Sequence, residues 1–145
     1  MVAFVKLNGF VEHLAEKVHN LESDQLVIAL SNTAPGSEST PPTSTTAACI
    51  LANVTQISYT NCSSRNVTTS TSAQTSGTYK LVCTDLVLTA SGGSFGPFRY
   101  VYLYNDTATS DNLIGYWDYG SAVTVSSGGT FTVDFDGTNG VLTVA

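Results

Sequence analysis

The chain has 145 residues, a formal net charge of −6 and only 11% charged residues, while Ser and Thr together supply about a quarter of it. Thr favours strands over helices, so this composition predicts a β-rich protein. Five Lys and Arg residues spread over the whole length cannot form a basic stripe that follows phosphates, which argues against a nucleic-acid partner. A chain of this length is expected to form one domain, residues 1–145, with a core that needs no disulfide.

The cysteines and the N-terminus indicate where such a chain is made. Cys49, Cys62 and Cys83 form no CxxC unit and have no histidine nearby, which favours reduced, buried thiols over a disulfide or a metal site. The first residues lack the features of a signal peptide, and no run of eighteen apolar residues occurs. We therefore expect synthesis in a reducing cytoplasm and no membrane partner.

The N-terminal part contains the one predicted helix. Residues 1–7 are apolar and form either a strand within the domain or an arm that reaches a neighbouring chain. Residues 8–22 have apolar side chains at helical spacing, with Asn8 as the expected N-cap. His13 and His19 are six positions apart and do not share one side of a helix, so we expect them at the surface and not as a ligand pair.

The next segments alternate between apolar and polar. Residues 25–31 predict a buried strand that ends before Pro35. Residues 35–48 are rich in Pro, Ser and Thr and lack an apolar face, which predicts a flexible loop. Residues 49–61 then predict a short helix or strand.

From residue 65 onward the pattern is that of strands. Residues 65–74 predict a polar strand at a sheet edge, and a change of phase near Asp85 predicts a bulge or turn. Strands and turns follow at intervals of about ten residues to the end of the chain. The predicted fold is mainly β: an antiparallel β-sandwich or barrel-like domain with one N-terminal α-helix.

The stretch "GPFRYVYLYND" is apolar on both faces of a strand. At period two, Phe98 shares one face with Tyr100, Tyr102 and Tyr104. One face is expected to fill the core, and the other to be covered by a packed layer or a sister subunit. We assign Tyr100, Tyr102 and Tyr104 to oligomer contacts.

Catalytic motifs are absent from the sequence. It has no GxSxG, no HExxH and no phosphate-binding glycine loop, so we expect no catalytic residues, no cofactor and no enzyme activity. Asp134 and Asp136 lie on one face of a strand, but the distal Glu of a calcium loop is missing. A solvated strand face is favoured there over a metal site.

Aromatic residues are concentrated in the last third of the chain. An exposed Trp and Tyr can stack on sugar rings, which gives an alternative carbohydrate site at Trp117, Asp118 and Tyr119. The period of the strand argues against a single platform, because Tyr116 and Asp118 share one face while Trp117 and Tyr119 share the other.

Most of the chain resembles a group of small structural proteins of tailed-phage virions. The resemblance rests on "FVKLNGFVEHLAEKVHNL", "DQLVIALSNTAP", "GTYKLVCTDLVLTASGGSFGPFRYVYLYNDT" and "LIGYWDYGSAVTVSSGGTFTVDFDGTNGVLTVA". The size and composition are similar to those of head decoration (cement) proteins, which are commonly trimers seated where capsid subunits meet. The resemblance does not account for the three cysteines and is weakest in the central loop.

This resemblance implies a binding role without an active site. The expected function is a non-enzymatic decoration protein made in the bacterial host cytoplasm, which binds the major capsid protein at the virion surface as a homo-oligomer, a trimer being our expectation. Phe4 and Val5 are assigned to capsid contact. Two alternatives are a carbohydrate-binding virion or tail component and a tail, neck or baseplate building block.

Overall fold

The computed structural model describes residues 2–145, and these residues form a mainly β structure with one short helix. The elements in chain order are β1 (Phe4–Lys6), α1 (Asn8–Ala15), β2 (Leu26–Ser31), β3 (Asn66–Thr75), β4 (Thr78–Thr84), β5 (Leu86–Thr89), β6 (Phe95–Asn105), β7 (Leu113–Val125), β8 (Thr130–Val133) and β9 (Leu142–Val144). Short 3-10 turns occur at Pro35–Ser37 and Leu51–Asn53.

Seven of the strands form one antiparallel, nearly closed barrel-like sheet. Their order is β1-β7-β6-β2-β3-β4-β9, and β5 pairs with β8 in a second, small sheet. The long strands β6 and β7 lie side by side, with Val101 opposite Trp117. The predicted fold class, a barrel-like antiparallel domain with one N-terminal helix, is confirmed.

The helix is shorter than predicted, and this changes the position of both histidines. It ends at Ala15, because Lys17 adopts a left-handed conformation (φ 64°) that turns the chain back. The returning segment carries His19 to within 5.9 Å of His13, measured between ring centroids. Both side chains are buried, at 7% and 6% exposure, so the prediction that they lie at the surface was wrong.

The N-cap prediction was also wrong. The cap position is Leu7, which makes no side-chain capping bond, and Asn8 is the first helical residue.

Strand β6 has two buried faces, as its sequence predicts, but their membership differs at one residue. Tyr100, Tyr102 and Tyr104 belong to one apolar cluster, whereas Phe98 belongs to the main core with Val101. The pairing of β6 with β7 shifts register between Phe98 and Tyr100, and such a bulge reverses the alternation of side chains. The prediction that Phe98 shares a face with the three tyrosines was therefore wrong.

The tyrosine face of β6 is covered by residues 35–57, which we call the covering segment. Cys49 and Val54 are buried against the tyrosines. The segment is attached to the sheet on two sides, because Leu113 donates to the carbonyl of Cys49 (3.0 Å) and Ile57 donates to the carbonyl of Leu30 (3.0 Å). Within the stretch predicted as a flexible loop, Pro35, Glu38 and Pro42 are buried in this layer, whereas the Ser and Thr residues remain mostly exposed.

Glu38 anchors the middle of this layer. This residue is 7% exposed, and its carboxylate accepts hydrogen bonds from the backbone N–H (2.8 Å) and the hydroxyl (2.7 Å) of Thr55. A buried carboxylate held by two donors fixes the path of a segment that has few apolar residues of its own.

The prediction that the polar strand β3 lies at a sheet edge holds for most of its length but not for its start. In the strand order β3 lies between β2 and β4, but only Asn66 and Val67 pair with β2, so one side of Thr68–Thr75 is unpaired within residues 2–145. The change of phase near Asp85 is confirmed, because the chain passes there from β4 to β5, in the other sheet. Asp85 accepts a hydrogen bond from the N–H of Phe135 at 2.9 Å, which ties the two sheets together.

Candidate functional site

A groove lies between β7 and β8, and we call it the aromatic groove. Its volume is about 410 Å³. It is lined by Val2, Val101, Trp117, Tyr119, Phe131, Thr132, Val133 and Asp134.

Two strands from different sheets supply the aromatic side chains. Trp117 and Tyr119 are two residues apart on β7 and therefore share a face, while Phe131 comes from β8. The rings of Tyr119 and Phe131 pack edge to face, with centroids 5.5 Å apart and planes inclined at 69°. Tyr119 is 49% exposed and Trp117 only 9%, so Tyr119 forms the rim of the groove and Trp117 its floor.

Trp117 is held in place by aromatic neighbours. The ring of Phe4 on β1 lies 4.6 Å from that of Trp117, and the ring of Phe135 lies 5.7 Å away. These contacts leave the floor of the groove rigid and apolar.

Asp118 does not belong to this site, which corrects the predicted set of Trp117, Asp118 and Tyr119. Its carboxylate is on the other face of β7, where it pairs with the guanidinium of Arg99 through two contacts of 2.7 and 2.8 Å. It also accepts the N–H of Gly120 at 2.8 Å. The hydrogen bond from Arg99, followed by that from Gly120, holds the pKa of Asp118 below its usual value. Both charged side chains are more than a third exposed, so this pair contributes little to stability.

Phe131 and Thr132 are not among the site residues predicted from the sequence, and Asp134 is considered there only as a metal ligand. All three belong to β8 or follow it, and β8 pairs with β5 instead of β7. The apolar and polar alternation of "TFTVD" was the available signal, but nothing local to it indicates which strand faces it.

The tyrosines predicted to form oligomer contacts are covered by the chain itself. Tyr100, Tyr102 and Tyr104 are 8%, 0% and 4% exposed beneath the covering segment. The sequence left open whether a packed layer or a sister subunit covers this face, and in the structure it is a packed layer. These side chains therefore have almost no surface to offer a sister subunit.

The two residues assigned to capsid contact differ in exposure. Strand β1 pairs with β7 inside the domain, with Phe4 opposite Trp117 and Val5 opposite Tyr116. Phe4 is half-buried and faces the core, whereas Val5 is 42% exposed. Of the two, only Val5 is exposed enough to contact a partner.

The free edge of β1 also has open hydrogen-bonding groups. Leu7 donates its N–H to Ile114 on β7 at 3.0 Å. Because antiparallel strands bond through every second residue, the backbone groups of Phe4 and Lys6 point away from β7. No other strand among residues 2–145 pairs with this edge.

Both histidines belong to a largely buried polar cluster beside the helix, together with Asp24, Asn105 and Asn112. The amide nitrogen of Asn112 is 3.3 Å from Nε2 of His13, and that of Asn105 is 2.6 Å from Oδ2 of Asp24. Burial, followed by the charge of His13, lowers the pKa of His19 to about 4. These side chains are engaged with one another and do not line the aromatic groove.

The described residues contain no group of three or more His, Cys, Asp or Glu side chains placed to hold a metal ion. Asp136 accepts hydrogen bonds from the N–H groups of Thr138 and Asn139, at 2.9 and 2.7 Å, and so stabilises a turn. Cys49, Cys62 and Cys83 are free thiols, two of them buried and Cys62 half-buried.

Within residues 2–145, no helix has both the length and the apolar character needed to cross a membrane. We compared the chain with protein-family models, with curated proteins and with solved structures, and none of the three comparisons found a match.

Proposed function

We propose that this protein is a non-enzymatic decoration (cement) protein of a tailed-phage capsid, which binds the major capsid protein on the assembled head and clamps neighbouring subunits. The proposal combines the resemblance of most of the sequence to small virion proteins with one structural observation. That observation is the free edge of β1, where the exposed Val5 accompanies unpaired backbone groups.

An open strand with apolar side chains is a template for pairing with another chain, and monomeric proteins usually cover or charge it. Here Val5 is 42% exposed between the open backbone groups of Phe4 and Lys6. A strand of the capsid subunit can pair with this edge and bury Val5.

The rest of the molecule supports a mechanical role. The barrel-like sheet and the covering segment together bury two apolar clusters on opposite faces of β6. A closely packed body deforms little, so a load applied at β1 is passed to the whole domain. Homo-oligomerisation, with a trimer as our expectation, adds avidity because one oligomer contacts several capsid subunits at once.

The test uses phage heads from which this protein has been removed. Purified wild-type protein is expected to bind them, as measured by co-sedimentation, and to raise the temperature at which they release DNA. The variant Val5→Asp should lose most of the binding, because it places a charge at the contact. The matched control is Val87→Asp, which changes a 50% exposed valine in β5, and it should bind as the wild type does.

Immunogold labelling of intact virions separates this function from a tail, neck or baseplate role. Label on the head surface is expected. Label confined to the tail, or equal binding of Val5→Asp and Val87→Asp to heads, would contradict the proposal.

A further inference from the structure

We propose that the aromatic groove binds a neutral oligosaccharide, with one sugar ring stacked on Tyr119 and its hydroxyl groups bonded at Thr132 and Asp134. This activity goes beyond the clamping function and does not depend on it. It also differs from the site predicted from the sequence, because Asp118 is excluded and β8 supplies the polar groups.

The size and lining of the groove fit a small ligand with one apolar side. Its volume of about 410 Å³ falls within the range of ligand pockets. Val101 and Val133 are buried beneath it, at 4% and 7% exposure, so the floor is apolar. Such a floor accepts the C–H face of a pyranose ring, which loses contact with water there.

The aromatic side chains are arranged for stacking. Tyr119 is the one large aromatic side chain with nearly half of its surface exposed among residues 2–145. Its ring is held edge to face by Phe131, so little conformational freedom is lost when a ligand covers it. Ordered aromatic rings that remain exposed in the absence of a partner are a feature of surfaces that bind ligands.

The polar rim supplies hydrogen bonds and selects against charge. The side chains of Thr132 and Asp134 are exposed and make no hydrogen bond or salt bridge to other side chains of the described residues. A carboxylate and a hydroxyl can each bond a sugar hydroxyl and so orient the ring. Asp136 lies close by, and the net charge of the chain is −6, so an anionic polysaccharide would be repelled.

A single tryptophan makes the test specific to this groove. Trp117 is the only tryptophan in the chain, and it forms the floor of the groove. Its fluorescence is therefore a direct reporter when maltohexaose, cellohexaose and chitohexaose are titrated in turn. At least one of these neutral probes is expected to give a saturable change, with a Kd in the millimolar range or tighter, and dextran sulfate to give none.

Two variants connect this signal to the proposed contacts. Tyr119→Ala should weaken binding about tenfold through the loss of stacking, and Asp134→Asn should weaken it less. Tyr119 is exposed, so its replacement leaves the core intact. Val11→Ala is the matched control, because it shortens a 52% exposed apolar side chain on the helix, and it should bind as the wild type does.

The amide NMR spectrum is recorded in the same titrations, so that a binding event without a fluorescence change is still detected. The proposal is overturned if none of the three probes alters either signal, or if Tyr119→Ala binds as well as Val11→Ala. It is also overturned if the groove signals change with protein concentration alone, because a second copy would then be the occupant. Binding of Tyr119→Ala to phage heads should be normal, which separates this result from the clamping function.

Discussion

The side-chain amide nitrogen of Asn105 lies 3.2 Å from Nδ1 of His19. The orientation of this amide is fixed, because its oxygen accepts the N–H groups of Thr107 (3.0 Å) and Ala108 (3.2 Å). The nitrogen must therefore donate, and Nδ1 of His19 must accept. Neutral His19 consequently carries its proton on Nε2, which has no hydrogen-bond partner among the described residues.

This relationship predicts that the protein loses stability in weak acid. A proton on Nδ1 of His19 would face the donating amide of Asn105, and the neighbouring His13 adds repulsion, while the carboxylate of Asp24 opposes it only in part. The pKa of His19 is about 4 in the folded protein, against 6.5 in an unfolded chain. As the pH falls, the unfolded state therefore binds the proton first. The free energy of unfolding, which is fully present above pH 6.5 with respect to this group, decreases by up to about 3 kcal/mol as the pH falls towards 4.

Urea unfolding at several pH values between 7 and 4 measures this loss. Carboxylates also titrate near the lower end, so the comparison is with His19→Asn, which keeps an acceptor near the position of Nδ1 but has no charge to gain. This variant should be less stable at pH 7 because of the space it leaves, with a flatter dependence on pH. An unchanged slope would assign the acid sensitivity to other groups.

A second prediction contrasts the hydroxyl of the buried Tyr102 with that of the half-buried Tyr59. The hydroxyl of Tyr102 has no hydrogen-bond partner among the described residues, whereas that of Tyr59 accepts the N–H of Leu30 at 2.8 Å and donates to Gln56 at 2.9 Å. Tyr102→Phe should leave the free energy of unfolding unchanged or raise it by up to about 1 kcal/mol, and Tyr59→Phe should lower it by about 1 to 2 kcal/mol. Chemical denaturation of both variants tests this contrast, and equal effects would contradict it.

Replacing Tyr102 with a charged residue should, unlike Tyr102→Phe, lower the free energy of unfolding. The side chain is fully buried, so Tyr102→Asp places a carboxylate in an apolar cluster and should cost several kcal/mol, about enough to unfold a marginally stable domain. Circular dichroism and thermal melting measure the effect. A variant that melts as the wild type does would show that β6 lies elsewhere.

Gly115 is predicted to be required for the position of β1. A Cβ atom at this residue would collide with the ring of Phe4 and lie 2.6 Å from the carbonyl oxygen of Val5. Gly115→Ala should therefore displace β1 and cost about 1 to 3 kcal/mol. It should also change the fluorescence of Trp117, against which Phe4 packs.

The control for this variant is Gly137→Ala, since the same added methyl group would meet no atom within 4 Å there. It should be neutral in stability and in fluorescence. Equal effects of the two substitutions would mean that β1 adapts to the larger residue without strain.

The three thiols should differ in their rates of alkylation. Burial raises the pKa of Cys49 and of Cys83 to about 11, which leaves almost no thiolate at pH 8. Cys62 is only half-buried, although burial raises its pKa as well. Iodoacetamide should modify Cys62 first and the other two only on unfolding, as followed by peptide mass spectrometry. Equal labelling of Cys49 and Cys62 in the native protein would contradict this order.

The helix is one place where the local sequence pattern was not sufficient to predict the path of the backbone. Apolar spacing predicted helix through residue 22, but the chain reverses at Lys17 and packs His19 against the first turns. The apolar residues after Ala15 are buried by tertiary contact instead of by a helical stripe. The spacing of apolar residues indicates which side chains are buried, but more than one backbone path can bury the same side chains.

The residues of the aromatic groove could likewise be predicted only in part from the sequence. The alternation along β7 correctly placed Trp117 and Tyr119 on one face and Asp118 on the other. It could not supply Phe131 or Asp134, because β8 pairs with β5 and meets β7 only through the packing of two sheets.

A mainly β domain with one N-terminal helix and two apolar faces on β6 could be predicted from the sequence alone, because these features follow from the spacing of side chains along one strand or turn. What covers each face depends on tertiary contacts. The fold places residues 35–57 over the tyrosines and β8 beside Trp117. Contacts between distant segments depend on the register and curvature of the whole sheet, and a bulge of one residue, as at Phe98, is enough to reassign them.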